Sequence, residues 1–172
     1  MITVKYLPNI HETINVTMDF LNRRPVVKIM LILTKVCCFL MCIAYILKAT
    51  INTLKFHDML VLLFALTWLF GYRFLNALIL KKVLIKNKTD KFNHTFHINK
   101  DKLWGTNNNT FPIQQQWKQV KYIYKNHNGY IIPAIGSANA GKFVWLPKRG
   151  FDNTDAENNF LEILQQHKIL VK

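Results

Sequence analysis

Two runs decide the fold: IMLILTKVCCFLMCIAYIL at residues 29–47 and MLVLLFALTWLFGYRFLNALIL at residues 59–80. The first is broken only by Thr34 and Lys35, and the second carries Arg73 as its single charge. Each is close to the roughly 20 residues a helix needs to cross a bilayer. Between residues 29 and 80, 39 of 52 positions are apolar, against 48 of the other 120. That split excludes a simple soluble globule and predicts a two-helix membrane hairpin joined to a polar part. The whole chain has 172 residues, a formal charge of +14 and a sequence pI near 9.8. A disordered polyelectrolyte would share the charge but not the 51% apolar content.

Three segments follow: residues 1–28, the hairpin 29–80, and residues 81–172. Their net charges are +2, +3 and +9. Lys and Arg flanking the runs predict the orientation. Lys5, Arg23, Arg24 and Lys28 precede them, Lys81, Lys82, Lys86, Lys88 and Lys91 follow, and only Lys48 and Lys55 lie between. Both termini are expected on the cytoplasmic side, with a turn around Leu54–Asp58 outside. The polar start argues against a cleavable signal peptide. Lys35 and Arg73 fall at one depth in an antiparallel hairpin. From Lys35 to Leu54 a helix spans roughly 28 Å. Lys28, Lys35, Arg73, Lys81 and Lys82 are therefore expected at the membrane interface, the two inner ones by snorkelling. No GxxxG motif is present, because Gly71 is the hairpin's only glycine. Cys37, Cys38 and Cys42 all lie in the first run, which argues against disulfides and for small apolar side chains.

Outside the hairpin, Ile2–Leu7 alternates as a strand. Asn9 and Glu12 resemble a capping box opening a helix over 10–23, with Ile10, Ile14, Met18 and Leu21 as its stripe and Pro25 as its stop. Phe92, Phe96 and Ile98 share one strand face. Residues 102–106 and 110–114 read as a hairpin around an Asn107–Asn109 turn. Residues 117–125 give the longest strand candidate. Asn128-Gly129 is a tight-turn signal, and Pro133 demotes the returning strand to an edge or a bulge. Phe143–Pro147 is a last strand. Thr154 and Glu157 suggest a second capping box, opening a helix with Phe160, Leu161, Leu164 and Gln165 on one side. The order of strands and then one helix predicts an α+β class: an antiparallel sheet with a helix packed on it, which Ile2–Leu7 can join.

The pattern resembles the bacterial YcxB-like proteins. The likeness rests on the strand-helix ending in Arg23-Arg24-Pro25, the hairpin, the run Trp117-Lys118-Gln119-Val120, and Pro147-Lys148-Arg149-Gly150-Phe151 before the terminal helix. It implies a bacterial inner-membrane protein whose C-terminal domain is pleckstrin-homology-like, a bent antiparallel sheet closed by one helix, with no cofactor or reaction attached. From the residues themselves, Trp117 is expected to open a strand and anchor the core. Pro147 ends a strand, and Phe151 staples the terminal helix. Lys148 and Arg149 form an exposed corner able to meet an anionic head group or an acidic partner.

Several chemistries are excluded. Residues 136–142 fit the first seven positions of a phosphate-binding loop, but Phe143 stands where Ser or Thr should hold magnesium, and a strand-like run follows. Ser137 is the only serine and lacks a nucleophile elbow. His94 and His97 point to opposite faces of a strand. The nine acidic residues are scattered, so neither a metal site nor a catalytic carboxylate pair is expected. Asn15, Asn87, Asn93 and Asn108 begin Asn-x-Thr sequons, silent if cytoplasmic. No helix or ribbon concentrates the basic residues, so nucleic acid is not expected. The sequence therefore predicts a non-enzymatic inner-membrane protein. Its expected partners are an anionic bilayer and an unidentified protein, with homo-oligomerisation left open. A membrane immunity protein against a toxin, or an accessory subunit of a membrane enzyme or transporter, are the alternatives.

Overall fold

A computed structural model describes residues 1–51, 55–87, 91, 93–107, 110–134 and 142–172. Residue 92, the centre of the Asn107–Asn109 turn, Leu54 and the 136–141 loop lie outside the described residues. The chain is α+β and forms two compact units: residues 1–20 with 84–172, and residues 21–83. Strand β1 (Ile2–Tyr6) and helix α1 (Ile10–Arg23) come first. Two long helices follow, α2 (Pro25–Ile51) and α3 (Phe56–Lys86). Pro25 takes the first position of α2, where its missing N–H has no intrahelical acceptor to lose.

In the helical unit, α2 and α3 span about 40 and 46 Å. Cys38 and Cys42, one turn apart, are buried with Ala65, and Leu62, Trp68 and Leu69 pack around them. Small side chains at a helix contact let two backbones approach, which is the role usually given to glycine. Gly71 does not take part: a Cβ there would meet only Thr67 Cγ2, at 3.6 Å. At the turn end, Lys48 Nζ donates to both Asp58 carboxylate oxygens at 2.9 and 2.8 Å, and the Lys55 N–H donates to Asp58 Oδ2 at 3.1 Å. Phe56–Asp58, expected in the turn, is therefore the first turn of α3, with Asp58 capping the helix from inside it.

The other unit holds two four-stranded sheets. The first runs β1, β2 (His94–Ile98), β3 (Lys102–Asn107), β4 (Thr110–Gln116) in spatial order, all antiparallel. The strand before the helical pair thus pairs with the first strand after it, in the register Ile2↔Ile98 to Tyr6↔His94. Strands β5 (Tyr122–Asn126), β6 (Gly129–Pro133) and β7 (Phe143–Pro147) form the second sheet. Helix α4 (Thr154–Gln166) follows, and then β8 (Leu170–Val171), parallel to β5. Lys168 adopts φ 54°, and the Ile169 N–H donates to Leu164 O at 2.9 Å, so the chain reverses into β8. One core draws on both sheets, α1 and α4. Val4, Phe96, Ile98, Leu103, Trp117, Tyr130, Leu146, Phe160 and Leu164 lie within it.

Several local expectations need correction. Trp117 opens a 3₁₀ turn (Trp117–Gln119) between the sheets, not a strand, and β5 starts only at Tyr122. Strand β6 is interior, between β5 and β7. Pro133 is tolerated there because it is the strand's last residue, opposite Phe143, and the ladder resumes with the Ala134 N–H donating to Lys142 O at 3.0 Å. Helix α4 is capped by Asn153, whose Oδ1 accepts from the Ala156 N–H at 2.7 Å; Glu157 instead accepts from the Tyr130 hydroxyl at 2.6 Å. Ile163 joins Phe160 and Leu164 in the core, while Gln165 is exposed. Asn9 does cap α1, accepting from the His11 N–H at 2.9 Å. Ile14 and Met18 of the expected α1 stripe are buried and Ile10 and Leu21 half-buried, while Val16 and Phe20, outside that stripe, are buried too and join the sheet core.

Candidate functional site

Two places carry the residues that the sequence singles out. The first is the surface of the helical unit. Only 11% and 6% of the most apolar stretches of α2 and α3 are buried, so most of that surface is left open rather than packed inside the chain. Phe39, Leu40, Ile46, Phe64, Phe70 and Phe74 are among the large apolar side chains left open. A continuous apolar surface of that kind marks contact with lipid or a partner. Both helices have the length and composition of membrane spans. Lys28, Lys35, Arg73, Lys81 and Lys82 are all exposed on the same two helices.

The second place is the corner built by Pro147–Phe151. Pro147 ends β7 and is buried, and residues 148–150 form a 3₁₀ turn. A Cβ on Gly150 would lie 2.8 Å from Val4 Cγ1 and 3.2 Å from Lys5 O, so glycine lets this turn seat on β1. Phe151 bridges to Val4 across the strands and stacks near Phe160, with centroids 5.7 Å apart. It lies two residues before the Asn153 cap, so it reaches α4 by ring packing rather than by the staple position next to the cap.

Arg149 is not an open cation. Its guanidinium pairs with Glu12, donates to Leu7 O at 3.2 Å and lies over the Tyr6 ring at 5.9 Å. Glu12 also accepts from Trp145 Nε1 at 3.3 Å. The corner therefore ties β1 and α1 to β7, chain segments separated in sequence by the helical pair. Lys148 is exposed beside it. Arg149 is half exposed, so the ion pair contributes only about 1 kcal/mol. We expect Arg149→Ala to loosen α1, read as faster proteolysis around Leu7–Glu12, with little change in global melting.

Behind the corner the Tyr6 hydroxyl donates to Trp145 O at 2.8 Å. It then accepts from His94 Nδ1, 3.3 Å away, which fixes the proton on that nitrogen. Burial pushes the Tyr6 phenol above its ordinary range, with Glu12 adding to the shift. Burial and Glu157 do the same to Tyr130. Burial lowers His94 to about 4. The unfolded chain then binds a proton at His94 that the folded one refuses, so stability falls as pH drops from about 6.5 towards 4. Thermal melts across that window test this, and His94→Gln flattens that part of the profile.

Trp117 is fully buried and Trp117 Nε1 donates to Asn99 O at 2.8 Å, consistent with an anchor. His94 points inwards and His97 outwards. No group of three His, Cys, Asp or Glu among the described residues could hold a metal ion. The sequence reading missed Glu12 as Arg149's partner and the Lys48–Asp58 pair. Only the second left a trace, as an acid and a base flanking the turn. No family model, curated protein or solved structure matches the chain.

Proposed function

We propose that this chain is a non-enzymatic integral protein of a bacterial inner membrane, with α2 and α3 crossing the bilayer and the two-sheet unit on the cytoplasmic side. The observation that carries the reading is the pairing of β1 with β2 beside two helices whose apolar faces are open. If the helices span, residues on both flanks share one folded unit and so one side. The excess of Lys and Arg outside the turn favours the cytoplasm. Four strands, then a second sheet, then a closing helix support a pleckstrin-homology-like, YcxB-like domain that presents a surface to protein or lipid.

The ion pair revises the span. Lys48 and Lys35 are separated by 13 residues, about 20 Å of helix, against a hydrocarbon layer of about 30 Å. A full layer must take in one charged level. The Lys48–Asp58 pair, already neutralised and with Asp58 buried, is less costly to place there than Lys35 and Arg73, two exposed cations with no acidic partner among the described residues. Lys48→Met, which strands Asp58, is expected to destabilise the hairpin in detergent more than Lys48→Met with Asp58→Leu. Equal loss in both would reject the pair's role. Reporter fusions after Lys172 and between Ile51 and Phe56 test the topology. We expect a cytoplasmic signal at the first and a periplasmic one at the second; a periplasmic C-terminus overturns the reading.

A further inference from the structure

Strands β1–β4 contain no Asp or Glu. Their inward face is the core, carrying Val4, Phe96, Ile98 and Leu103. Their outward face carries one row in register across all four strands: Thr3, His97, Trp104 and Gln114. Trp104 is half-buried yet lies outside the core. Its neighbours are ring-to-ring with His97, 5.5 Å between centroids, and Lys102 Nζ at 5.4 Å from its ring. Thr3 Oγ1 is 3.4 Å from His97 Nδ1. Lys5 is exposed on the same face, with Thr95, and Gln116 stands opposite Lys102. Asp101 precedes β3 in the turn after β2, next to Lys102 in sequence.

An indole in contact with an imidazole and an ammonium group, two lysines, hydroxyls, amides and no carboxylate on the strands make a face suited to a polar, anionic surface. Indole prefers the bilayer interface, and lysines near an anionic leaflet contribute binding there. The occupant is close at hand. On the reading above, the sheet unit is joined to the membrane helices at two points in the chain, through α1 and through residues 87–93. The tether raises the local concentration of head groups far above that of any free ligand. We propose that the outward face of β1–β4 docks on the anionic head groups of the bilayer that holds the chain's own helices. It replaces the Lys148–Arg149 corner in that role, since Arg149 is occupied by Glu12 and Leu7.

The test uses the full chain in nanodiscs of phosphatidylcholine, with and without roughly a third phosphatidylglycerol, each carrying a head-group nitroxide quencher. The difference between the wild type and Trp104→Phe isolates the Trp104 signal. We expect quenching of Trp104 in the anionic discs, its loss at high salt, and a return to the neutral-disc level in Lys5→Glu with Lys102→Glu. Each lysine is worth about fivefold in the docked-to-free ratio, so the double reversal lowers it more than tenfold. Equal quenching in both disc types, or none in either, overturns the proposal. So does quenching by a single-stranded RNA oligomer with none by lipid, because the stacked rings would then be serving bases. Incorporation into discs is scored separately: a chain that fails to insert takes the membrane reading with it, whereas one that inserts with Trp104 unquenched overturns docking alone.

Discussion

Trp117→Ala is expected to cost about 4 kcal/mol and to disorder the two-sheet unit while leaving α2 and α3 helical. Trp117 sits where the chain passes from the first sheet to the second, and its side chain has no exposed surface. Its ring packs against Phe160 of α4, with centroids 6.1 Å apart. The indole N–H donates to Asn99 O, and the Trp117 backbone N–H donates to Asp101 O at 3.0 Å. One residue therefore holds the β2–β3 turn, the inter-sheet crossing and the terminal helix together. Truncation leaves a large cavity and an unpaired carbonyl, against a domain stability of about 5–15 kcal/mol. Near-ultraviolet circular dichroism during thermal unfolding in detergent, with protease mapping over 94–172, reads the loss. Trp117→Phe keeps most of the packing and drops the hydrogen bond, and should cost about 1–2 kcal/mol. An alanine variant that melts with the wild type would remove Trp117 from its anchoring role.

The sequence resolves what depends on local pattern. Two long apolar runs become α2 and α3, Phe96 and Ile98 share the core face, and Asn9 caps α1, because each follows from composition or spacing within a few residues. The joining of β1 to the later strands was also legible, since an N-terminal strand and a C-terminal sheet on one side of a membrane can meet. What escaped is non-local or depends on a one-residue shift. Asn153 outcompetes Thr154 as the cap because the helix starts one residue earlier than the Thr-x-x-Glu pattern suggests, and Glu157 is then freed to meet Tyr130. Pro133 looks disruptive until its place at the end of β6 is known. Arg149 reads as an exposed basic corner because its partner, Glu12, lies beyond the helical pair in sequence. That contact changes the functional picture, since the half-exposed guanidinium already has a carboxylate partner within the chain.

Glycine substitutions separate packing from propensity. A Cβ on Gly105 would stand 2.4 Å from Thr95 O and 2.4 Å from Phe96 Cδ1. The first is backbone and cannot swing aside, and the second belongs to a ring buried in the core. Gly105→Ala is thus expected to cost about 3 kcal/mol by overpacking. The damage should spread along a particular path. Gly105 faces Phe96 on β2, and Phe96 faces Val4 on β1, so prising β3 from β2 loosens the strand that brings residues 2–6 into the sheet. Hydrogen exchange should rise first in β2 and β1, before β5–β7. The opposite case is Gly71 in α3, where the nearest atom to a new Cβ is Thr67 Cγ2 at 3.6 Å, an ordinary contact. Gly71→Ala should be neutral or slightly stabilising, because alanine is the better helix former. Melting and exchange of both variants, side by side in detergent, decide the matter. If Gly105→Ala proves as benign as Gly71→Ala, then β2 and β3 are not held at the spacing that their register requires.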